Sequence, residues 1–251
     1  MKQLMLLYKK DLIELYRTKR ILIIAAIFII FAMASPLIAK IMPDLLISIG
    51  GIEIELPPST IADSYDQLGQ NLSQFGALVI VGCFGSLIVN ERRKGLYNNL
   101  LNNGVKKYNF ITAKFLSQIT VITIIYLIAC LFFSLYNYII FDAFLVKYSL
   151  IAFFALYIYL IFAIAITNFY STLSKSGMVS FFLSFGTIML IMIFELFKFG
   201  KYLPNHLVNI AINLFKDDKY MNYAWYTISL TALLCLILYT SSIVICKNKD
   251  K

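Results

Sequence analysis

Apolar positions along the 251 residues gather into six long runs, at 21–39, 74–90, 115–140, 148–169, 178–197 and 223–246, parted by shorter polar stretches. A helix needs roughly 20 apolar residues to cross about 30 Å of hydrocarbon. Each run therefore predicts a transmembrane helix, the second being the shortest. The expected fold is an all-α membrane protein, a single transmembrane domain over residues 1–251. Ahead of the first run, residues 1–20 predict an amphipathic helix lying on the membrane surface. Leu4, Tyr8, Leu12 and Leu15 recur at helical spacing, and Lys2, Lys9, Lys10 and Arg17 can reach headgroups. A plain anchor and a helix packed beside a cytosolic subunit both fit that pattern. The polar residues before the first run, and the lack of a small-x-small pattern after it, argue against a cleavable signal peptide.

The polar stretches differ in character. Residues 40–73 are broken by Pro43, Gly50, Gly51, Pro57 and Pro58 and made acidic by Asp44, Glu53, Glu55, Asp63 and Asp66. They predict an outer loop with little regular structure, serving as a solvated cap or a gate. Tyr170–Gly177 predicts a tight turn. In the outer segment 198–222, Pro204 suits the first turn of a short helix through His206, Leu207, Ile210 and Leu214. That helix is expected to re-enter the membrane from outside, half-buried and touching lipid. Segment 91–114 is polar and basic, with Leu96, Leu100 and Leu101 forming the apolar side of a short helix. Gly82 and Ser86, four apart in the second run, predict a face that another helix approaches closely.

Composition agrees with a membrane protein: 61% of residues are hydrophobic and 14% charged, with a mean hydropathy of +0.81. Sidedness follows from the basic residues. With the N-terminus inside, 16 of the 22 Lys and Arg fall on inner segments and six on outer ones. Both termini and segment 91–114 are then cytoplasmic. The net charge of +9 is explained by anionic headgroups, without nucleic acid. Cys83, Cys130, Cys235 and Cys246 lie within or at the end of spans, where packing thiols are expected rather than disulfides or a metal site.

Chemistry of its own is hard to find in the chain. No Gly-x-x-x-x-Gly-Lys-Ser/Thr loop is present to cradle a nucleotide phosphate. The lone histidine, His206, cannot form a His-pair zinc site and makes a Ser-His-Asp triad implausible. Glu195 is the one acid at the edge of lipid; ion pairing with Lys198 competes there with a functional role. The expectation is a protein that is not an enzyme and binds no cofactor itself.

Glu91, Arg92, Gly95, Leu100, Leu101, Lys107 and Lys114 together resemble the segment after the second span in ABC-2 type permeases, the membrane subunits of bacterial ATP-driven exporters. Leu96 stands where that family tends to have Thr, and Gly104 where it tends to have Pro. Leu203-Pro204 before a short helix also resembles the family's split outer end of span five. The resemblance implies a coupling helix seated in a separate cytosolic ATPase, which would hold the ATP and Mg. Glu91, Arg92, Arg93 and Lys94 would make charged contacts there, beside Gly95, with Leu96, Tyr97 and Leu100 as an apolar knob. It further implies a second permease chain, surrounding membrane lipid, and a bacterial cytoplasmic membrane location. Phe75, Phe84, Phe181, Phe185 and Glu195 become candidates for the translocation pathway. A path edged by Phe, Ile, Leu and Met suits hydrophobic or amphipathic cargo, and small permeases of this kind resemble those exporting antimicrobial or cytolytic peptides and conferring immunity. An ATP-independent carrier and a membrane sensor or immunity protein without transport are the competing readings.

Overall fold

The computed structural model describes residues 2–50, 58–142, 144, 147–195, 197, 200–215 and 219–248. The described residues form helices and no strand: α1 Lys2–Arg17, α2 Arg20–Gly50, α3 Ile61–Asn71, α4 Ala77–Phe84, α5 Leu87–Arg93, α6 Leu96–Asn102, α7 Lys107–Phe141, α8 Ser149–Leu173, α9 Gly177–Phe194, α10 His206–Asn213 and α11 Lys219–Asn248. A π-helical turn, Leu72–Gly76, joins α3 to α4, and a 3₁₀ turn, Gly200–Tyr202, precedes α10. Among the described residues, six helices are long and apolar enough to cross a membrane, one in each predicted run.

Helix α8 is the most enclosed span and packs against α4, α7, α9, α10 and α11. Aliphatic side chains gain little by meeting one another when lipid is equally apolar, so polar pairs between helices carry weight here. Gln118 of α7 and Asn168 of α8 exchange amide hydrogen bonds at 3.2 and 2.7 Å. Ser64 donates to Asn137 Oδ1 at 2.8 Å, and the Tyr65 and Ser149 hydroxyls are 2.6 Å apart. Around these lie the rings of Tyr65, Phe133 and Phe153, with centroids 4.9–5.9 Å apart.

The structure departs from the expected element boundaries in ways that have local causes. The segment expected to be irregular is largely helical where it is described. Helix α2 runs through Pro36 and Pro43 to Gly50; a proline frees one carbonyl, which a packed membrane helix tolerates. Helix α3 follows from Thr60, whose backbone N–H and hydroxyl both donate to Asp63 at 2.8 Å. It buries Ser64, Tyr65, Leu68 and Gly69 on one face. Its polar opposite face hid it from an apolar-run reading, and it extends the second span into one helical column, Ile61–Arg93. Gly51, Glu53, Glu55, Pro57, Lys198 and Lys216 lie outside the described residues.

Two more boundaries move. The third span opens at Lys107, not Phe115, so the last turns of segment 91–114 belong to α7. The turn between the fourth and fifth spans is only Ser174–Ser176. Helix α10 buries Leu207, Ile210 and Ala211 against α3, α8 and α11, inside protein rather than against lipid. The small face of the second span is used as expected: a Cβ on Gly177, at the start of α9, would stand 2.8 Å from Ser86 Cβ.

Candidate functional site

One end of the bundle gathers α1, α6, the start of α7 and the end of α11. Gln3 Nε2 donates to the Gly104 carbonyl at 3.3 Å, and Lys107 Nζ to the Lys247 carbonyl at 3.3 Å. At this end α1 turns Leu7, Asp11 and Leu15 inward, an i, i+4, i+8 stripe with an acid at its centre. Asp11 meets Lys114 of α7 and, through it, Glu91 of α5. Lys114 Nζ lies 3.1 Å from Asp11 Oδ1, 3.0 Å from Glu91 Oε1 and 3.9 Å from Glu14 Oε2. Lys10 closes the knot from its rim, 3.3 Å from Asp11 Oδ1 and in direct contact with Glu91 Oε1. Glu91 and Lys114 are 2% and 1% exposed, so both charges are carried by each other and by α1 rather than by water. Below the knot, Arg20 donates to the Cys83 carbonyl at 2.6 Å and to Ser86 Oγ at 3.3 Å.

Asp11, Glu14 and Glu91 bring their carboxylate oxygens within 4.8 Å of one another, a spacing that could hold a metal ion. The Lys114 ammonium sits among all of them and takes the place of the cation. The chemistry these side chains supply to one another is charge compensation. Burial pushes the Glu14 carboxyl above its ordinary value, with the nearby Glu91 carboxylate acting in the same direction and Lys114 and Lys10 opposing.

Beyond Arg93 the chain reverses through Gly95 at φ +70°, forms α6, and turns again at Gly104 with φ +78°. Both positions lie in the left-handed region that glycine enters without cost. Arg93, Lys94, Leu96, Asn98 and Asn99 are exposed along this excursion. Two of the expected outward contacts are instead turned inward. Glu91 Oε1 is committed to Lys114 and Lys10. Tyr97 is buried: its hydroxyl is 3.1 Å from Cys246 Sγ, its ring meets Phe110 edge-on at 5.1 Å, and Arg92 lies over it at 5.6 Å. An amphipathic seven-residue helix needs an apolar inner face, and Tyr97 supplies it, together with half-buried Leu100 and Leu101 packed near Ile88 and Ile111. Arg92 reaches back to donate to the Thr172 carbonyl at the end of α8.

The pathway candidates come from the π-helical turn before α4, from α4 itself and from α9 with its C-cap. Phe84 is fully buried in the core. Phe75 is exposed and stacked on Phe31 at 5.1 Å. Phe181 and Phe185 stack at 6.0 Å on α9, Phe181 lying beside Gly82 and Gly85. Glu195 closes α9 and accepts from Asn205 and Asn209, with His206 Nδ1 at 3.4 Å. A cavity of about 640 Å³ opens between α7 and α8 among Tyr126, Leu131, Phe153 and Tyr157, and none of the pathway candidates lines it.

The knot was only partly legible in the sequence. Glu91 and Lys114 stood out, but Lys10, Asp11 and Glu14 did not. The available signal was Asp11 itself, an acid placed four residues from Leu7 and four from Leu15. No protein-family model and no curated protein matches the chain, so a functional reading rests on this geometry.

Proposed function

We propose that the chain is the membrane-spanning subunit of an ATP-driven exporter of the ABC-2 permease kind. On this reading α6 is the element that a separate cytosolic ATPase grips, the ATP and Mg belong to that partner, and a second permease chain completes the transporter. The observation that carries the reading is α6: a short helix set off by two left-handed glycines, exposing Arg93, Lys94 and Leu96. Its root, Glu91, is tied by buried charge to α1 and α7. Such an element suits coupling because force on α6 meets a rigid joint among three helices instead of being absorbed by a loop. Glu91 then positions α6, and Arg93, Lys94 and Leu96 make the contact. The apolar helix surfaces favour a hydrophobic or amphipathic substrate, a peptide above all. A bacterial cytoplasmic membrane, with both termini inside, accords with the charge asymmetry.

The test is a pull-down of the full chain from detergent-solubilised native membranes, with mass spectrometry of what accompanies it. The expected result is a stoichiometric ABC-type ATPase whose recovery falls about tenfold with Leu96→Asp, the scale of an apolar anchor lost from an interface. A chain recovered alone, or with its own copies only, overturns the proposal and favours the sensor or immunity reading.

A further inference from the structure

Beside α6, with no residue of the charge knot in its lining, lies a cavity of about 320 Å³ lined by Val89, Arg92, Arg93, Tyr97, Asn98, Ser174 and Lys175. Its charged lining residues are all cationic: Arg92 and Arg93 come from the end of α5, and Lys175 from the turn between α8 and α9. The nearest acid in sequence, Glu91, does not line the cavity and is held by Lys114 and Lys10. Two of the lining residues carry a buried donor atom with no hydrogen-bond partner. Arg92 uses Nη1 on the Thr172 carbonyl, but its buried Nη2 has no hydrogen-bond partner. Ser174 is 7% exposed and its hydroxyl has no partner either. A buried, unsatisfied guanidinium nitrogen and hydroxyl are costly. Their shared cavity calls for an acceptor with several oxygens and negative charge.

We infer that this cavity is a binding site for a phosphate group. Arg92 Nη2 and the Ser174 hydroxyl donate to its oxygens from within, and Arg93 and Lys175 compensate its charge at the mouth. The planar guanidinium fork suits phosphate oxygens, and a basic pocket between membrane helices suits a phospholipid headgroup. The same chemistry would also accept a free phosphate or a small phosphate ester. The inference does not depend on the exporter reading, because it concerns the lining of this chain alone.

Purified full-length chain in detergent is offered equal amounts of phosphatidylglycerol and phosphatidylcholine, and bound lipid is read by native mass spectrometry. In parallel, inorganic phosphate is titrated against thermal unfolding. The variants are Arg92→Gln, Ser174→Ala and Lys175→Gln, the last in an exposed turn where folding is not at risk. Lys94→Gln removes an equal charge outside the cavity. A phosphatidylglycerol preference reduced about tenfold by Arg92→Gln and Lys175→Gln, and untouched by Lys94→Gln, identifies a lipid headgroup. No lipid preference, together with a phosphate-dependent rise in Tm lost in the same variants, identifies a free phosphate or ester. Cavity variants that match the unaltered chain in both arms, or Lys94→Gln falling as far as they do, overturn the inference. A site reserved for an acidic side chain of a docked protein would leave both arms blank and so counts against it.

Discussion

Glu91 and Glu195 each stand near the end of a membrane span and each is largely withdrawn from water, yet their surroundings differ in kind. Glu91 is compensated by two ammonium groups on two other helices, Lys114 of α7 and Lys10 of α1. Its partners lie 23 and 81 residues away in sequence. Glu195 is held by two amides and an imidazole, Asn205, Asn209 and His206, from the short helix α10 and its N-cap. The first arrangement locks three helices to one another by charge. The second fastens α10 to the end of α9, local in sequence and polar rather than ionic. The difference teaches where the bundle is stiff: the end carrying α6 is joined by charges that cannot separate without leaving one unpaired in low dielectric, while the Glu195 end can exchange one hydrogen-bond partner for another at modest cost.

The largest break in that comparison is expected from Lys114→Met. It leaves three acids facing one another with only Lys10 at the rim, and removing one partner of a buried ion pair costs about 3–5 kcal/mol. Thermal unfolding in micelles reads this as a large fall in Tm. Pairing it with Glu91→Met, an apolar replacement of similar size, recovers part of the loss, because charge and counter-charge then disappear together. Absence of any recovery in the double variant would mean that the helices are joined by packing and not by charge. Glu195→Gln is the matched change at the other end and falls short of it, at about 1–3 kcal/mol. The new amide offers one acceptor oxygen where the carboxylate offered two to the Asn205 and Asn209 donors. A loss at Glu195 equal to that at Lys114 would erase the contrast.

How far each region could be read from the chain follows from the same distinction. Apolar runs announce spans, and all six appear as helices, because some twenty apolar residues in a row leave a compositional mark that needs no knowledge of partners. Helix α3 leaves no such mark: its buried face is built from Ser64, Tyr65, Leu68 and Gly69, of which only two are apolar and large. The charge knot is harder still, since Asp11 and Lys114 are 103 residues apart and nothing local to either names the other. Tyr97 was legible as an aromatic on a short helix but not as an inward one. Its direction is set by Phe110 and Cys246, which arrive from α7 and α11. Sequence patterning thus reports what faces the solvent, here lipid, and is nearly silent on polar groups that face one another.

The smallest effect belongs to Glu14, at the rim of the knot, and it sharpens the comparison by asking how much charge the knot tolerates. Burial and the neighbouring Glu91 carboxylate raise the Glu14 pKa above its ordinary value, outweighing the pull of Lys114 and Lys10. The folded chain therefore holds this proton more tightly than the unfolded one. The resulting stabilisation is present below the ordinary carboxylate value and is lost as pH rises through the raised one. Glu14→Gln keeps the shape and stays neutral at every pH. It is expected to match the unaltered chain below the ordinary carboxylate value and to become slightly the more stable of the two as pH rises through the raised one, where native Glu14 gives up its proton in partly desolvated surroundings. The difference between the two Tm values, followed from pH 4 to 7 in the same detergent, reads the effect free of the other acids. A variant less stable than the native chain at pH 7 would show that the Glu14 charge is wanted by Lys114 and Lys10, and that the knot is a balanced network of all its acids rather than one closed on Asp11 and Glu91 alone.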